Sequence, residues 1–184
     1  RPSVTAAASV TLLAFGVACA SAAANDTSSK RAASASGAAD VIPGVEVLLS
    51  DSLHLIRGKR VGLITNQSGR DRKGTSTIDL LYKAPGVRLT ALFAPEHGLR
   101  GLAEAGASVE STVDSATGIP IYSIYGKKNV PTREMLANVD VLVYDIQDVG
   151  ARVYTYEWTM ALVADSAQKP FIVLDRPDPV RGDR

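Results

Sequence analysis

Four short apolar runs, each ending on polar residues, constrain this chain more than any other feature. They are Arg60-Val61-Gly62-Leu63-Ile64-Thr65 into Asn66-Gln67-Ser68-Gly69, and Val87 to Phe93 into Pro95-Glu96-His97-Gly98. The other two are Val139 to Tyr144 into Asp145-Ile146-Gln147-Asp148, and Phe171 to Leu174 into Asp175-Arg176-Pro177-Asp178. Their β-branched stretches lack regular apolar–polar alternation, which suits strands covered on both faces. Helical segments separate them: 75–83, stopped by Pro85-Gly86; 132–138, capped by Thr132; and 154–168, ended by Lys169-Pro170. This alternation predicts an α/β fold with a mainly parallel sheet and helices on both faces. Parallel strands bring their C-terminal ends to one edge, where open α/β sheets place ligands.

The remaining segments are less regular. Residues 45–49 suit a short strand or a helical turn, and 52–56 a helical turn. Residues 98–118 read as an irregular excursion. A strand over 119–125 contains Pro120, which restricts it to an edge or makes Pro120 its first residue. Residues 1–24 have the layout of a secretory signal, with Arg1, an apolar core and a small-residue region around Ala18-Cys19-Ala20. The apolar stretch is short for a membrane span. Cys19 is the candidate for a lipid anchor, although Gly16 departs from the usual lipoprotein signal. Residues 25–40 are Ser/Ala-rich and read as a disordered linker, which leaves 41–184 as the folded domain. The chain starts without a methionine and stops soon after a strand and its loop. It therefore reads as a fragment, incomplete at the C-terminus, of an exported periplasmic or extracellular protein.

Several function classes are excluded by what the chain lacks. Its formal net charge is +1 and its basic residues are scattered, so no nucleic-acid partner is expected. With one cysteine there is no intramolecular disulfide, and no zinc-type Cys/His spacing occurs. The first strand is not followed by a Gly-x-Gly-x-x-Gly turn, and the chain holds no phosphate-binding Gly-x-x-x-x-Gly-Lys-Ser/Thr loop. No cofactor and no metal are expected. Ser68 lacks a Gly-x-Ser-x-Gly elbow, which weakens a serine hydrolase reading.

Candidate chemistry gathers at the strand ends. Glu96 beside His97 can hold a proton for general acid–base work, and partial burial would raise the carboxyl toward neutrality. The blander alternative is a turn in which His97 only satisfies a carbonyl. Asp145 and Asp148 could bind a cation, orient a water or accept sugar hydroxyls, with Gln147 on the same side as Asp145; the alternative is an Asx-turn leading into Gly150. Arg152, Tyr154 and Tyr156 offer a carboxylate clamp and ring faces, although one tyrosine could equally be a core residue. Asp175-Arg176 could contact a ligand or serve structure alone. His54 reads as a surface or packing residue.

Five ordered segments resemble one family. They are Leu63 to Gly69, Phe93-Ala94-Pro95-Glu96-His97-Gly98-Leu99-Arg100-Gly101, Thr117 to Gly126, Tyr144 to Tyr156, and Asp175-Arg176-Pro177-Asp178-Pro179. The likeness spans roughly 44–183 and is to the bacterial exo-β-N-acetylmuramidases, catalogued as DUF1343 and as glycoside hydrolase family 171. It implies a Rossmann-like catalytic domain, here truncated before a smaller C-terminal domain. The implied partners are peptidoglycan-derived muramic-acid glycans, cut at their non-reducing ends. Glu96 would be the general acid, steered by His97, and Asp145 or Asp148 the second carboxylate. Arg152 would meet the lactyl carboxylate of muramic acid. Asn66, Gln67, Gln147, Tyr154 and Tyr156 would hold hydroxyls and the acetamido group, and Asp175 and Arg176 complete the substrate-binding set. The rival readings are a non-catalytic sugar-binding domain and another secreted hydrolase such as an esterase.

Overall fold

The computed structural model describes residues 41–95, 99, 112–126, 129–151 and 153–177. All of them fall in the unit Asp40–Arg184. The strands are β1 (Arg60–Thr65), β2 (Arg88–Ala94), β3 (Thr112–Val113), β4 (Pro120–Ser123), β5 (Val141–Asp145) and β6 (Phe171–Val173). The helices are α1 (Gly44–Ser50), α2 (Thr77–Lys83) and α3 (Tyr156–Ser166), with a 3₁₀ turn at Leu53–Leu55. The six strands form one sheet in the order β3-β4-β2-β1-β5-β6, parallel except for β3 against β4.

Strand pleating sorts the apolar side chains onto two faces. Val61 and Leu63 of β1 and Val141 and Val143 of β5 pack with Val45 and Leu48 of α1 and Ile78 and Leu81 of α2. Ile64, Leu142 and Tyr144 face the other way, toward Leu136 and toward Tyr156 and Val163 of α3. Both faces are thus covered, as the unbroken apolar runs require. Burying side chains such as Leu63, Leu92 and Leu142, all fully inaccessible, stabilises the fold by about 1.5–3 kcal/mol each. The register of β1 against β2 shifts between Val61 and Gly62, so that Val61 pairs Leu89 while Gly62 pairs Ala91. Thr90 takes up the extra position, and its hydroxyl donates to the Asn138 carbonyl at 2.6 Å. The bulge lets Leu89 and Leu92, which strict alternation would place on opposite faces, join the same apolar layer.

Departures from the sequence expectation have local causes. Residues 132–138 form successive turns instead of a regular helix. Thr132 does cap the segment, its hydroxyl accepting from Met135 N at 3.4 Å. One i→i−4 bond, from Leu136 N to Thr132 O at 3.1 Å, gives way to i→i−3 bonds from Ala137 N to Glu134 O at 3.3 Å and from Val139 N to Leu136 O at 3.1 Å, so the segment tightens into turns. The excursion at 98–118 contains β3, which adds antiparallel to β4 through Thr112–Ile121 and Val113–Pro120. Pro120 is the first residue of its strand, where its missing N–H is tolerated. The 45–49 segment is helical, α3 starts at Tyr156 instead of 154, and β6 ends at Val173. Ser76 caps α2 by accepting from Ile78 N at 3.2 Å. The signal-like segment 1–24, the linker 25–40 and Cys19 lie outside the described residues.

Candidate functional site

From β1 the connections run outward through β2 to β4, then return to β5 and β6 on the other side. The strand order therefore reverses between β1 and β5, and the carboxyl ends of those two strands flank the crevice where this topology binds ligands. Thr65 ends β1 and Asp145 ends β5, and they are paired in register. The Thr65 hydroxyl donates to the Asp145 carbonyl at 2.7 Å. The loop leaving β1 then passes so close that a Cβ on Gly69 would lie 2.1 Å from Thr65 Oγ1 and 3.4 Å from Asp145 Oδ2. Only glycine fits there.

Asp145 is fully buried and stands paired on both oxygens. Arg176 Nε donates to Oδ1 at 2.6 Å and Arg176 Nη2 to Oδ2 at 3.0 Å. The Thr77 hydroxyl at the start of α2 also donates to Oδ2. Arg176 Nη2 reaches on to the Arg70 carbonyl at 2.9 Å. One buried ion pair thus ties the loops after β1, β5 and β6 to the start of α2. The sequence offered Asp145 as a catalytic carboxylate and Arg176 as a ligand contact. The structure places them against each other, with Asp145 acting as a post for the surrounding loops.

A second hydrogen-bond chain runs beside it. Asn66 Oδ1 accepts from Ser68 N at 2.9 Å and from Ser68 Oγ at 2.5 Å. Ser68 Oγ in turn accepts from Gln147 N at 2.9 Å. Gln147 Nε2 donates to the carbonyls of Asp148 at 2.8 Å and Pro177 at 2.9 Å. Gln147 therefore staples the β5 loop to the β6 loop, and its side-chain oxygen remains as an acceptor. Ser68 and Thr77 were not among the sequence candidates, because nothing in their spacing marks them as partners of residues roughly 70–80 positions away.

The other candidates differ in exposure and environment. Gln67 is exposed, and its carbonyl accepts from Arg70 Nε at 2.8 Å. Tyr156 is buried in the α3 layer and meets Tyr154 edge-to-face at 4.8 Å between ring centroids. The Tyr144 hydroxyl donates to the Tyr156 carbonyl at 2.9 Å, and burial pushes its pKa above the ordinary tyrosine value. Asp175 is exposed; its Oδ1 accepts from Arg176 N at 2.9 Å, and its carbonyl accepts from Gly44 N at 2.9 Å. Asp148 forms an Asx-turn, Oδ1 accepting from Gly150 N at 2.7 Å, while its buried Oδ2 has no partner among the described residues. Glu96, His97 and Arg152 lie outside the described residues. Pro95 and Leu99, which flank Glu96 and His97 in sequence, are buried.

Besides an open groove of about 740 Å³ between α1 and the end of β6, two cavities open along this edge. One of about 250 Å³ lies among the ends of β5 and β6 and the start of α3, lined by Tyr144, Gln147, Asp148, Tyr156 and Met160 among others. A smaller one of about 120 Å³ lies beside Asn66, Gln67, Arg70 and Asp114. Among the described residues no cluster of His, Cys, Asp or Glu is gathered as a metal site would need. No described helix is long and apolar enough to cross a membrane.

A family model described as "Exo-beta-N-acetylmuramidase NamZ, N-terminal" matches residues 61–184. The chain belongs to this NamZ N-terminal family. It is 53% identical over 142 residues to the peptidoglycan beta-N-acetylmuramidase NamZ of Bacillus subtilis (strain 168), covering 76% of this chain and 34% of that protein. Two crystal structures of DUF1343 family proteins from Bacteroides fragilis NCTC 9343 share the fold. One is 50% identical with a TM-score of 0.70, covering 78% of this chain and 36% of that one. The other is 33% identical with a TM-score of 0.62, covering 77% and 36% respectively. This chain therefore spans about a third of the length of these NamZ-family relatives.

Proposed function

We propose that this chain is the N-terminal, sugar-facing part of an exo-β-N-acetylmuramidase that releases terminal N-acetylmuramic acid from the non-reducing ends of peptidoglycan fragments. The observation that carries this reading is the 53% identity to the Bacillus subtilis protein named a peptidoglycan beta-N-acetylmuramidase, within a family whose description reads exo-beta-N-acetylmuramidase. The crevice at the β1/β5 switch point supports it, with its polar loops and a neighbouring cavity large enough for one sugar ring. Glu96 is the general acid. Its carboxyl proton passes to the glycosidic oxygen as the bond from that oxygen to the anomeric carbon breaks, and a water then supplies the anomeric hydroxyl while its other proton returns to the Glu96 carboxylate. His97 steers the Glu96 carboxyl, and Arg152 receives the lactyl carboxylate of muramic acid, a bidentate contact suited to arginine. Of the two aspartates considered as partners of Glu96, Asp145 has both oxygens engaged, so it holds the site in shape. Residues 1–24 act as an export signal that delivers the protein to its cell-wall substrate.

The deciding experiment uses a polypeptide extended to the length of its relatives. Glu96→Gln should abolish release from a chromogenic N-acetylmuramide while leaving binding of the glycan intact. Unchanged release removes Glu96 from the role. Binding without any release by the unsubstituted protein would favour a sugar-binding module over an enzyme. The 184-residue chain alone should show little turnover, because it supplies one wall of the site.

A further inference from the structure

The cavity between the ends of β5 and β6 and the start of α3 combines three features that point to a ligand. Its volume of about 250 Å³ falls just below the roughly 300–1,000 Å³ of pockets for drug-sized molecules, a size for a single ring. Part of its lining is apolar, from Tyr144, Tyr156 and Met160. Asp148 also lines it, with Oδ1 fixed by Gly150 N at 2.7 Å and Oδ2 buried without a partner among the described residues. A carboxylate oxygen taken out of water costs free energy unless a donor meets it. Its charged neighbours decide which donor. Glu157 and Asp175 line the same cavity, so two further carboxylates repel an anionic ligand. Arg176, the one cation among the described lining residues, uses Nε and Nη2 on Asp145 and on the Arg70 carbonyl.

We propose that this cavity is a subsite for an uncharged pyranose, whose hydroxyl or acetamido N–H donates to Asp148 Oδ2 while its ring lies on the aromatic and methionine surface. The subsite selects against a sugar carrying a carboxylate. Resting on the muramidase reading, it assigns the cavity to a neutral sugar unit of the glycan and leaves the muramic-acid carboxylate to be recognised elsewhere. Asp148 is thereby a specificity residue that touches the substrate, in place of a second catalytic carboxylate.

The test is direct binding to the 184-residue chain, followed through the backbone amides of Gln147 and Gly150 by two-dimensional NMR. N-acetylglucosamine should shift both amides in a saturable titration, and N-acetylmuramic acid should bind at least tenfold more weakly. Asp148→Asn keeps an acceptor for Gly150 N and should weaken N-acetylglucosamine binding about tenfold without changing the urea midpoint. Met160→Trp fills the cavity while leaving Asp148 untouched, and should abolish the shifts. Equal affinity of the Asp148→Asn protein, or tighter Asp148-dependent binding of N-acetylmuramic acid, overturns the proposal. So does a calcium titration that moves the same amides while the sugar does not. The Glu96→Gln release assay is independent of these outcomes, so a failed subsite and a failed muramidase reading are told apart.

Discussion

Replacing Arg176 with methionine removes the only cation bonded to Asp145 among the described residues, and the cost can be worked from the geometry. The Asp145 side chain is 0% exposed and that of Arg176 10%. Solvent therefore cannot take over as partner when the guanidinium is lost. Thr77 would supply the remaining side-chain donor, and the Arg70 carbonyl would lose its bond from Nη2. Breaking a buried pair by deleting one member costs about 3–5 kcal/mol, most of it from the charge left behind. With a urea m-value of about 2 kcal/mol/M, the unfolding midpoint of Arg176→Met should fall by roughly 2 M. Far-UV circular dichroism is the suitable probe, because Trp158 is largely exposed and a poor reporter of unfolding. The double variant Asp145→Leu/Arg176→Met leaves no unpaired charge, and it should be more stable than Arg176→Met alone. A loss below about 1 kcal/mol for Arg176→Met, or simple additivity of the two single substitutions, would refute the view of this pair as a buried post.

Other perturbations test separate parts of the structure. The Arg60 guanidinium, bonded to Asp140 at 2.6 Å, holds that carboxyl well below the usual carboxylate range. A depressed carboxylate contributes stability above its unfolded pKa and loses it as pH falls through the folded one. Asp140→Asn should therefore flatten the acid limb of a stability–pH profile below about pH 4, and high salt should shrink the difference because the pair is partly exposed. Ser76→Ala removes the α2 cap and should cost about 0.5–2 kcal/mol, with faster amide exchange at Ile78. Gly69→Ala would drive a methyl into Thr65 Oγ1, and should lower thermal stability by an amount equivalent to about 1–3 kcal/mol.

Legibility in the sequence followed burial. β1 and β5 could be read because both faces of each strand are covered, leaving runs such as Val141-Leu142-Val143 with no polar interruption. β3 could not: it has two exposed residues at a sheet edge, and its place depends on β4 alone. The turns at 132–138 carry a helix-like pattern, yet the segment closes mostly on i→i−3 bonds, and its last carbonyls are held by Thr90 and Arg60, distant in sequence.

The same limit governs the site. An aspartate closing a fully buried strand must find donors, and nothing in the sequence marks Arg176 as the residue that supplies them. Arg176 is 31 residues from Asp145, and its role follows from β6 lying beside β5, a fact of topology. That guanidinium uses Nε and Nη2 on Asp145 and on the Arg70 carbonyl. Asp148 is the member of the Asp145/Asp148 pair whose buried Oδ2 has no partner among the described residues. The two aspartates look equivalent in sequence, three residues apart at one strand end, and burial with pairing separates them: both Asp145 oxygens are bonded, and of the Asp148 oxygens only Oδ1 is, among the described residues.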